Sequence, residues 1–283
     1  MTTQINTENS NLSSPFGRQG AAGAFAFLLH LADNALILGQ RNAEWCGHGP
    51  VLEQDIAITN ISLDLMGQSR NFYQYAASLY NAFNDAEKEN VDYFIPRPWK
   101  KYDRDLGEDD LAFLRDERQY LNLLITELSK GDWAQTVLRQ FFFSAFQYYH
   151  YQALQNIGDA QVAGIAEKSV KEVAYHLRWS GEWVIRLGDG TEESKRRINV
   201  ALNELWMFTG ELFLPATFDP FDPSLLKADW YSKVEEVFDQ AGLQIPAMAW
   251  TQQGGKEGKH TEHLGYLLTE MQYMQRTYPN AQW

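Results

Sequence analysis

Apolar residues recur at three- and four-residue spacing along almost the whole chain, and no stretch shows the two-residue alternation of a half-buried strand. Helical spacing of this kind places the apolar side chains on one face. The pattern therefore predicts an all-α protein. Eight helices are predicted, over residues 20–46, 51–82, 107–129, 133–156, 159–187, 191–213, 223–241 and 260–277.

The predicted helices are separated by residues that end one helix or begin the next. Residues 47–50 read Gly-His-Gly-Pro, Gly158 precedes Asp159, and a glycine cap at residues 188–190 is followed by Thr191 as an N-cap. These connections are short. We therefore expect the helices that they join to be antiparallel neighbours.

Two segments lack the helical pattern. Residues 1–19 are rich in Thr, Asn, Gln and Ser, and we predict a disordered N-terminal tail. Residues 83–106 contain Pro96, Pro98 and several charges, and we predict a long loop there. The rest of the chain, residues 20–283, is predicted to form a single helical domain.

Composition and charge narrow the possible functions. The chain has 283 residues, of which 45% are apolar, and its formal net charge is −13, so nucleic acid is not an expected partner. The single cysteine, Cys46, excludes an internal disulfide framework and favours the cytoplasm. The apolar stretch 21–38 contains His30, Asp33 and Asn34, which indicates a core helix rather than a membrane span.

Two short motifs resemble a di-iron motif from which the histidines are missing. They are Asp64-x-x-Gly67 in the second predicted helix and Glu172-x-x-Tyr175 in the fifth. A four-helix di-iron bundle carries Glu-x-x-His in two helices and one further carboxylate in each of the other two. The chain therefore has the pattern of such a bundle, but neither of the two imidazoles is present at its motif position.

The remaining ligand positions follow from matching residues at equal height in helices joined by short turns. Asp33 is then opposite Asp64, and Glu172 lies nearest to Gln140 and Ser144, neither of which is a carboxylate. Iron sites of this class need several carboxylate oxygens as well as imidazole. A metal site is not expected, and these residues are interpreted as vestigial positions.

His176 leaves an alternative open, because it lies four residues after Glu172 and could restore half of a metal site. In the other interpretation, Glu172, Tyr175 and His176 form a buried hydrogen-bond network with Asp64 and Asn60.

Two further groups contain possible ligands or charged contacts. Residues 44–48 (Glu-Trp-Cys-Gly-His) could bind zinc or could simply end a helix, and residues 260–263 (His-Thr-Glu-His) could bind a metal or begin one. In the predicted helix 107–129, Arg118 interrupts an apolar stripe and would need a carboxylate such as Asp116 or Glu117. It could also belong to a polar patch for a ligand or a partner.

Several longer segments together resemble the PaaC subunits of phenylacetyl-CoA monooxygenase (1,2-phenylacetyl-CoA epoxidase) complexes. The resemblance extends over about residues 25 to 283. The segments that carry it are residues 33–34, 40–41, 44–48, 60–72, 115–119, 171–178, 254–255, 260–265 and 270–273, and Trp283.

This resemblance implies a ferritin-like four-helix bundle with additional helices and no working di-iron centre. The irons would be held by a related catalytic subunit, PaaA. Electrons would come from NADPH through a reductase that contains FAD and an iron–sulfur cluster. The complex would epoxidise the ring of phenylacetyl-CoA, and this chain would be a non-catalytic partner of PaaA and of the other epoxidase components.

The resemblance also implies contact with the CoA thioester at Gln119, Tyr120, Leu121 and Asn122. Two alternatives to the structural-subunit function remain. One is a self-contained di-iron oxygenase or ferroxidase that uses Asp33, Asp64, Glu172 and His176, and the other is a helical interaction module unrelated to oxygenation.

Overall fold

The computed structural model describes residues 20–247 and 250–281. The predicted tail over residues 1–19 lies outside these ranges, as does Trp283. The described residues form helices and loops without a β-strand, so the all-α prediction is confirmed. Eleven α-helices occur in these ranges: α1 Gly20–Ala43, α2 Leu52–Ala82, α3 Asp85–Val91, α4 Glu108–Phe113, α5 Leu124–Glu127, α6 Trp133–Leu154, α7 Ala160–Gly188, α8 Glu192–Thr209, α9 Lys227–Ala241, α10 Glu262–Met271 and α11 Tyr273–Thr277.

Helices α1 and α6 pack antiparallel through the core. Near one end of the pair the rings of Phe27 and His150 are 6.1 Å apart, and towards the other Asn42 donates to Gln140 at 2.6 Å. By its length and composition alone, helix α1 could cross a membrane. However, 83% of its most apolar window is buried inside the protein, as in a core helix.

Helices α2 and α7 form the opposite pair of the bundle and are also antiparallel. The indole nitrogens of Trp179 and Trp183 both donate to Gln54, at 3.0 and 2.7 Å, while Gln68 donates to Glu172 at 3.0 Å. Helix α1 is antiparallel to α2 as well, since Asp33 contacts Tyr73 and Gly39 lies beside Leu65, so α2 and α6 run in the same direction. The chain must therefore cross the length of the bundle between them, which is the ferritin-like arrangement.

The crossover over residues 83–132 differs from its prediction. A capping box between Asn84 and Glu87 starts the short helix α3 inside the predicted loop. The continuous helix predicted over residues 107–129 is wrong, because only α4, a 3₁₀ turn at Glu117–Gln119 and α5 are helical there.

Side chains of α1 explain why the crossover is not one helix. Asp33 accepts a hydrogen bond from the backbone N–H of Leu121, and Asn34 accepts one from that of Leu123, both at 2.8 Å. His30 Nδ1 donates to the carbonyl of Leu121 at 2.7 Å. These bonds satisfy backbone groups that a helix would otherwise satisfy itself, so residues 120–123 are held extended against α1.

Candidate functional site

The middle of the α2–α7 contact holds one acid–imidazole pair. His176 Nε2 lies 2.9 Å from Asp64 Oδ2. The histidine side chain is fully buried, whereas 36% of the Asp64 side chain is exposed. Asp64 therefore lies at the edge of the bundle, and His176 Nδ1 has no hydrogen-bond partner in the described part of the chain.

One helical turn away, a chain of amides and a phenol crosses the bundle. Gln68 donates to Glu172 and accepts from Gln147, each at 3.0 Å, and Gln147 lies 3.0 Å from the hydroxyl of Tyr151. Burial raises the pKa of Tyr151, and the charge of Glu172 raises it further, so the phenol is neutral. Gln68 shares a polar stripe with Asn60 and Asp64 at four-residue spacing in the sequence, whereas no sequence pattern indicates Gln147 or Tyr151.

Gln140 is buried, as expected for a core position, but it is separate from this chain of amides. It accepts from Asn42 at 2.6 Å and donates to Ser144 at 2.8 Å. Gln140 and Ser144, the residues matched by height to Glu172, are thus hydrogen-bonded to each other, and Gln140 also binds the side-chain amide of Asn42 in α1. An amide has one acceptor oxygen without charge, so this set supplies no bridging carboxylate.

Asp33 lies elsewhere, and the expectation that it faces Asp64 is wrong. It forms a fully buried ion pair with Arg115 and accepts from the hydroxyl of Tyr73. Burial and the charge of Asp33 raise the pKa of Tyr73 well above its usual range. Asp33 is level with Tyr73, which is more than two helical turns beyond Asp64, because the first turns of α2 extend past the C-terminal end of α1. A height match that assumes a tight connection cannot detect that offset.

Gly67 and Tyr175 are at the surface. Gly67 is exposed, and 39% of Tyr175 is accessible, with Arg178 stacked 5.7 Å from its ring centre. Asn60, expected in the polar network, is also exposed. The second residue of each motif, Gly67 or Tyr175, therefore faces away from the bundle.

The donor set does not fit a di-iron centre. Among the described residues, no group of three or more His, Cys, Asp or Glu side chains is placed to hold a metal ion. Such a centre requires carboxylates from all four helices and two imidazoles. The bundle centre instead contains neutral amides and hydroxyls, together with His176 and the edge carboxylates Asp64 and Glu172.

The two other ligand groups have structural partners. Glu44 pairs with Arg41 at 2.7 Å, and Cys46 and His48 are exposed beyond the end of α1. His260 Nδ1 contacts the buried carboxylate of Glu127 at 2.8 Å, and its Nε2 lies 2.9 Å from a backbone carbonyl.

Both nitrogens of His260 therefore face acceptors, which requires a protonated ring. Burial of the ring lowers its pKa, but the hydrogen bond and charge of Glu127 outweigh burial and raise the pKa overall. We conclude that this histidine is part of a buried ion pair.

A cleft of about 890 Å³ opens beside the first turns of α1, between the crossover and the loops after α8 and α9. Of the four residues proposed to contact a thioester, Leu121 lines this cleft. Gln119, Tyr120 and Asn122 are buried, and their side chains bind other parts of the chain.

Two cationic side chains lie in the wall of the cleft. Lys256 donates to Asp219 and to the carbonyl of Leu214, both at 2.9 Å. Arg118 is exposed rather than buried, contrary to its position in the predicted stripe, and forms no ion pair with Asp116 or Glu117. The buried arginine of this segment is Arg115, three residues earlier.

The glycine-rich segment 253–259 forms part of the same wall. Glu211 accepts from the backbone N–H groups of Leu124, Gly254 and Gly255 at 2.7 to 2.8 Å. A Cβ atom at Gly255 would lie 2.1 Å from the carbonyl oxygen of Asn122. The glycines therefore allow close packing of this segment against the crossover.

Fold and site together define a ferritin-like helical protein whose bundle centre is filled by hydrogen-bonded amides and hydroxyls. The family described as phenylacetic acid catabolic protein matches residues 16–283, and the chain belongs to this family. The C subunit of 1,2-phenylacetyl-CoA epoxidase from Escherichia coli (strain K12) is 42% identical over 266 residues, which cover 91% of this chain and 98% of that protein.

Proposed function

We propose that this chain is the non-catalytic helical subunit of a 1,2-phenylacetyl-CoA epoxidase, where it supports a related PaaA-like subunit that carries the di-iron centre. The bundle centre carries this proposal. Gln68, Gln147 and Tyr151 bind one another where an oxygenase needs carboxylates and imidazoles. The similarity to the epoxidase protein of Escherichia coli supports the same assignment.

The alternative of a self-contained oxygenase or ferroxidase is not supported by the positions of its four ligands. Asp33 is bound to Arg115, and Glu172 to Gln68. Asp64 and His176 remain, which is too few donors for two irons. In the proposed complex, iron belongs to the catalytic subunit, and NADPH, FAD and the iron–sulfur cluster belong to the reductase. A cytoplasmic location is part of the proposal.

Iron analysis of the separately purified chain tests its non-catalytic role. After expression in iron-supplemented medium, we expect iron well below one atom per chain by elemental mass spectrometry, because the donor set is incomplete. The catalytic subunit, purified in the same way, is the positive control. Two irons per chain with the absorption of an oxo-bridged pair would contradict the proposal.

We further propose that the cleft beside α1 contacts the CoA thioester. Its volume lies within the range of small-molecule sites, and Leu121 contributes an apolar wall. Arg118 contributes an exposed guanidinium, a group suited to phosphate oxygens. This contact would place the chain at the substrate without giving it a chemical role.

Arg118→Ala tests the substrate contact in the reconstituted complex. We expect the KM for phenylacetyl-CoA to rise about fivefold with little change in kcat, because an exposed ion pair contributes roughly 1 kcal/mol or less. The rise should shrink at high salt. Arg196→Ala removes an exposed arginine of α8 as the control. An unchanged KM for Arg118→Ala would remove the cleft from the substrate path.

A further inference from the structure

The outer side of α2 carries a row of exposed apolar side chains. Leu52, Ile56 and Leu63 are 72%, 52% and 64% exposed. They are four and seven residues apart, so they lie on one side of the helix. Scattered exposed apolar residues are ordinary, but a row along one helix presents an apolar ridge to solvent, interrupted here only by the exposed Asn60. A second helix has the shape to cover it.

Gly67 continues this row four residues after Leu63. It lies in the middle of a 31-residue helix, where glycine is unfavourable relative to alanine. A Cβ atom at this position would meet nothing within 4 Å. Nothing in the described chain therefore requires glycine at position 67, although a backbone that approaches from outside would.

A basic strip follows the outer side of α7. Lys168, Lys171, Tyr175 and Arg178 are exposed and share one side of the helix. None of the three cations forms an ion pair with a residue in the described ranges, and Arg178 only stacks on Tyr175. On a chain of net charge −13, this strip is a local exception.

The ridge and the strip lie side by side at the level of Leu63 and Gly67, and Leu52 and Ile56 extend the ridge beyond the end of the strip. The pairs Asp64–His176 and Gln68–Glu172 hold α2 against α7 at the level of Leu63. The face thus has an apolar ridge on one helix and a basic strip on the next, with the partly exposed carboxylates of Asp64 and Glu172 in the seam between them. We infer that it binds a helix of a second, different chain, one with an apolar ridge flanked by carboxylates.

Charge favours a different chain over a second copy. A two-fold pairing of this face with itself would bring two basic strips into one interface, where like charges repel. An acidic flank on the partner would instead pair with Lys168, Lys171 and Arg178. This inference rests on the proposed function in one respect, because the bound helix is expected to be part of the di-iron catalytic subunit.

Leu63→Arg tests the face, with binding of the catalytic subunit measured by analytical ultracentrifugation and calorimetry at physiological salt. The affinity should fall at least tenfold, because a charge is buried against an apolar surface. The chain alone should retain its circular dichroism and unfolding midpoint, since Leu63 is exposed. Val200→Arg, at an exposed apolar residue of α8, is the matched control and should bind like the wild type.

Gly67→Leu provides a second variant whose two effects have opposite signs. It should raise the unfolding midpoint of the isolated chain by about 2 °C, because leucine favours a helix over glycine. It should also weaken the complex severalfold, because the side chain fills the space for the partner's backbone. Lys171→Glu should slow association, with an effect that fades at high salt.

The possible outcomes separate this inference from the proposed function. If the wild-type chain binds the catalytic subunit and Leu63→Arg and Gly67→Leu bind equally well, the face is wrong and the function stands. If the wild type does not bind, both are wrong. If the chain alone dimerises and Leu63→Arg abolishes the dimer, the occupant is a second copy and the inferred partner is wrong.

Discussion

Replacing Arg115 by methionine is expected to lower the free energy of unfolding by about 3–5 kcal/mol, because it leaves a buried carboxylate without its cation. Arg115 and Asp33 are both fully buried, and two guanidinium nitrogens of Arg115 bind the Asp33 carboxylate. In the variant, the charge of Asp33 would be balanced only by the hydroxyl of Tyr73 and the backbone N–H of Leu121.

The same arginine also holds the crossover together. It donates to the carbonyls of Leu111 and Gln119 at 2.6 and 2.7 Å, and its guanidinium lies 4.2 Å from the ring centre of Tyr120. Its own carbonyl accepts from Gln272, which ties the C-terminal helices to this point. We therefore expect the loss to loosen residues 111–121 together, including the cleft wall.

Urea unfolding followed by circular dichroism measures this effect. Arg70→Met removes the same side chain from an exposed pair with Glu108 and should cost less than about 1 kcal/mol. The double variant Asp33→Leu/Arg115→Met should be less destabilised than the sum of its single variants, because neither charge is then left unpaired. Strict additivity would show that the two side chains do not act as a pair.

The long helices could be predicted because their apolar spacing persists over many turns. Helices α1, α2, α6 and α7 end within a few residues of the predicted bounds. The crossover could not be predicted in the same way. Its leucines have helical spacing, but its backbone conformation is set by Asp33 and Asn34, which lie almost 90 residues away in sequence. Local periodicity contains no information about such contacts.

The candidate site was predictable in composition and not in geometry. The motifs correctly suggested a polar α2–α7 contact, since Asp64 binds His176 and Glu172 binds Gln68. However, spacing within one helix does not specify which side faces the core, and Gly67 lies outside. That assignment depends on how α2 packs against its neighbours. The vestigial origin of these positions stays a prediction.

Mild acid is expected to destabilise the protein by about 4 kcal/mol between pH 7 and pH 5, through two buried histidines. Burial lowers the pKa of His30 to about 3, assisted by the charge of Lys256, although the hydrogen bond to Leu121 opposes this. Burial likewise lowers the pKa of His150 to about 3, with His30 and Lys256 adding to the effect and Asp219 opposing it.

The sign follows from proton uptake by the two states. Below pH 6.5 the unfolded chain binds a proton at His30 and at His150, while the folded chain stays neutral there until about pH 3. The unfolded state then binds more protons, so stability falls as the pH falls. Each histidine lowers the free energy of unfolding by about 2 kcal/mol at pH 5.

His260 acts in the opposite direction. Its pKa is raised in the folded state, so its ion pair with Glu127 stabilises fully below pH 6.5 and is lost as the pH rises through the folded value. The stability maximum should therefore lie near neutral pH.

His150→Phe separates the acid effect from general acid denaturation by carboxylates. The rings of Phe27, Phe146 and Phe221 surround His150 at centroid distances of 5.1 to 6.1 Å, so a phenylalanine suits the site. The slope of unfolding free energy against pH should decrease by about one proton between pH 6 and pH 4. Phe146→Leu, a packing change beside it, should lower stability equally at every pH. Equal slopes for His150→Phe and the wild type would mean that His150 is protonated in the folded core.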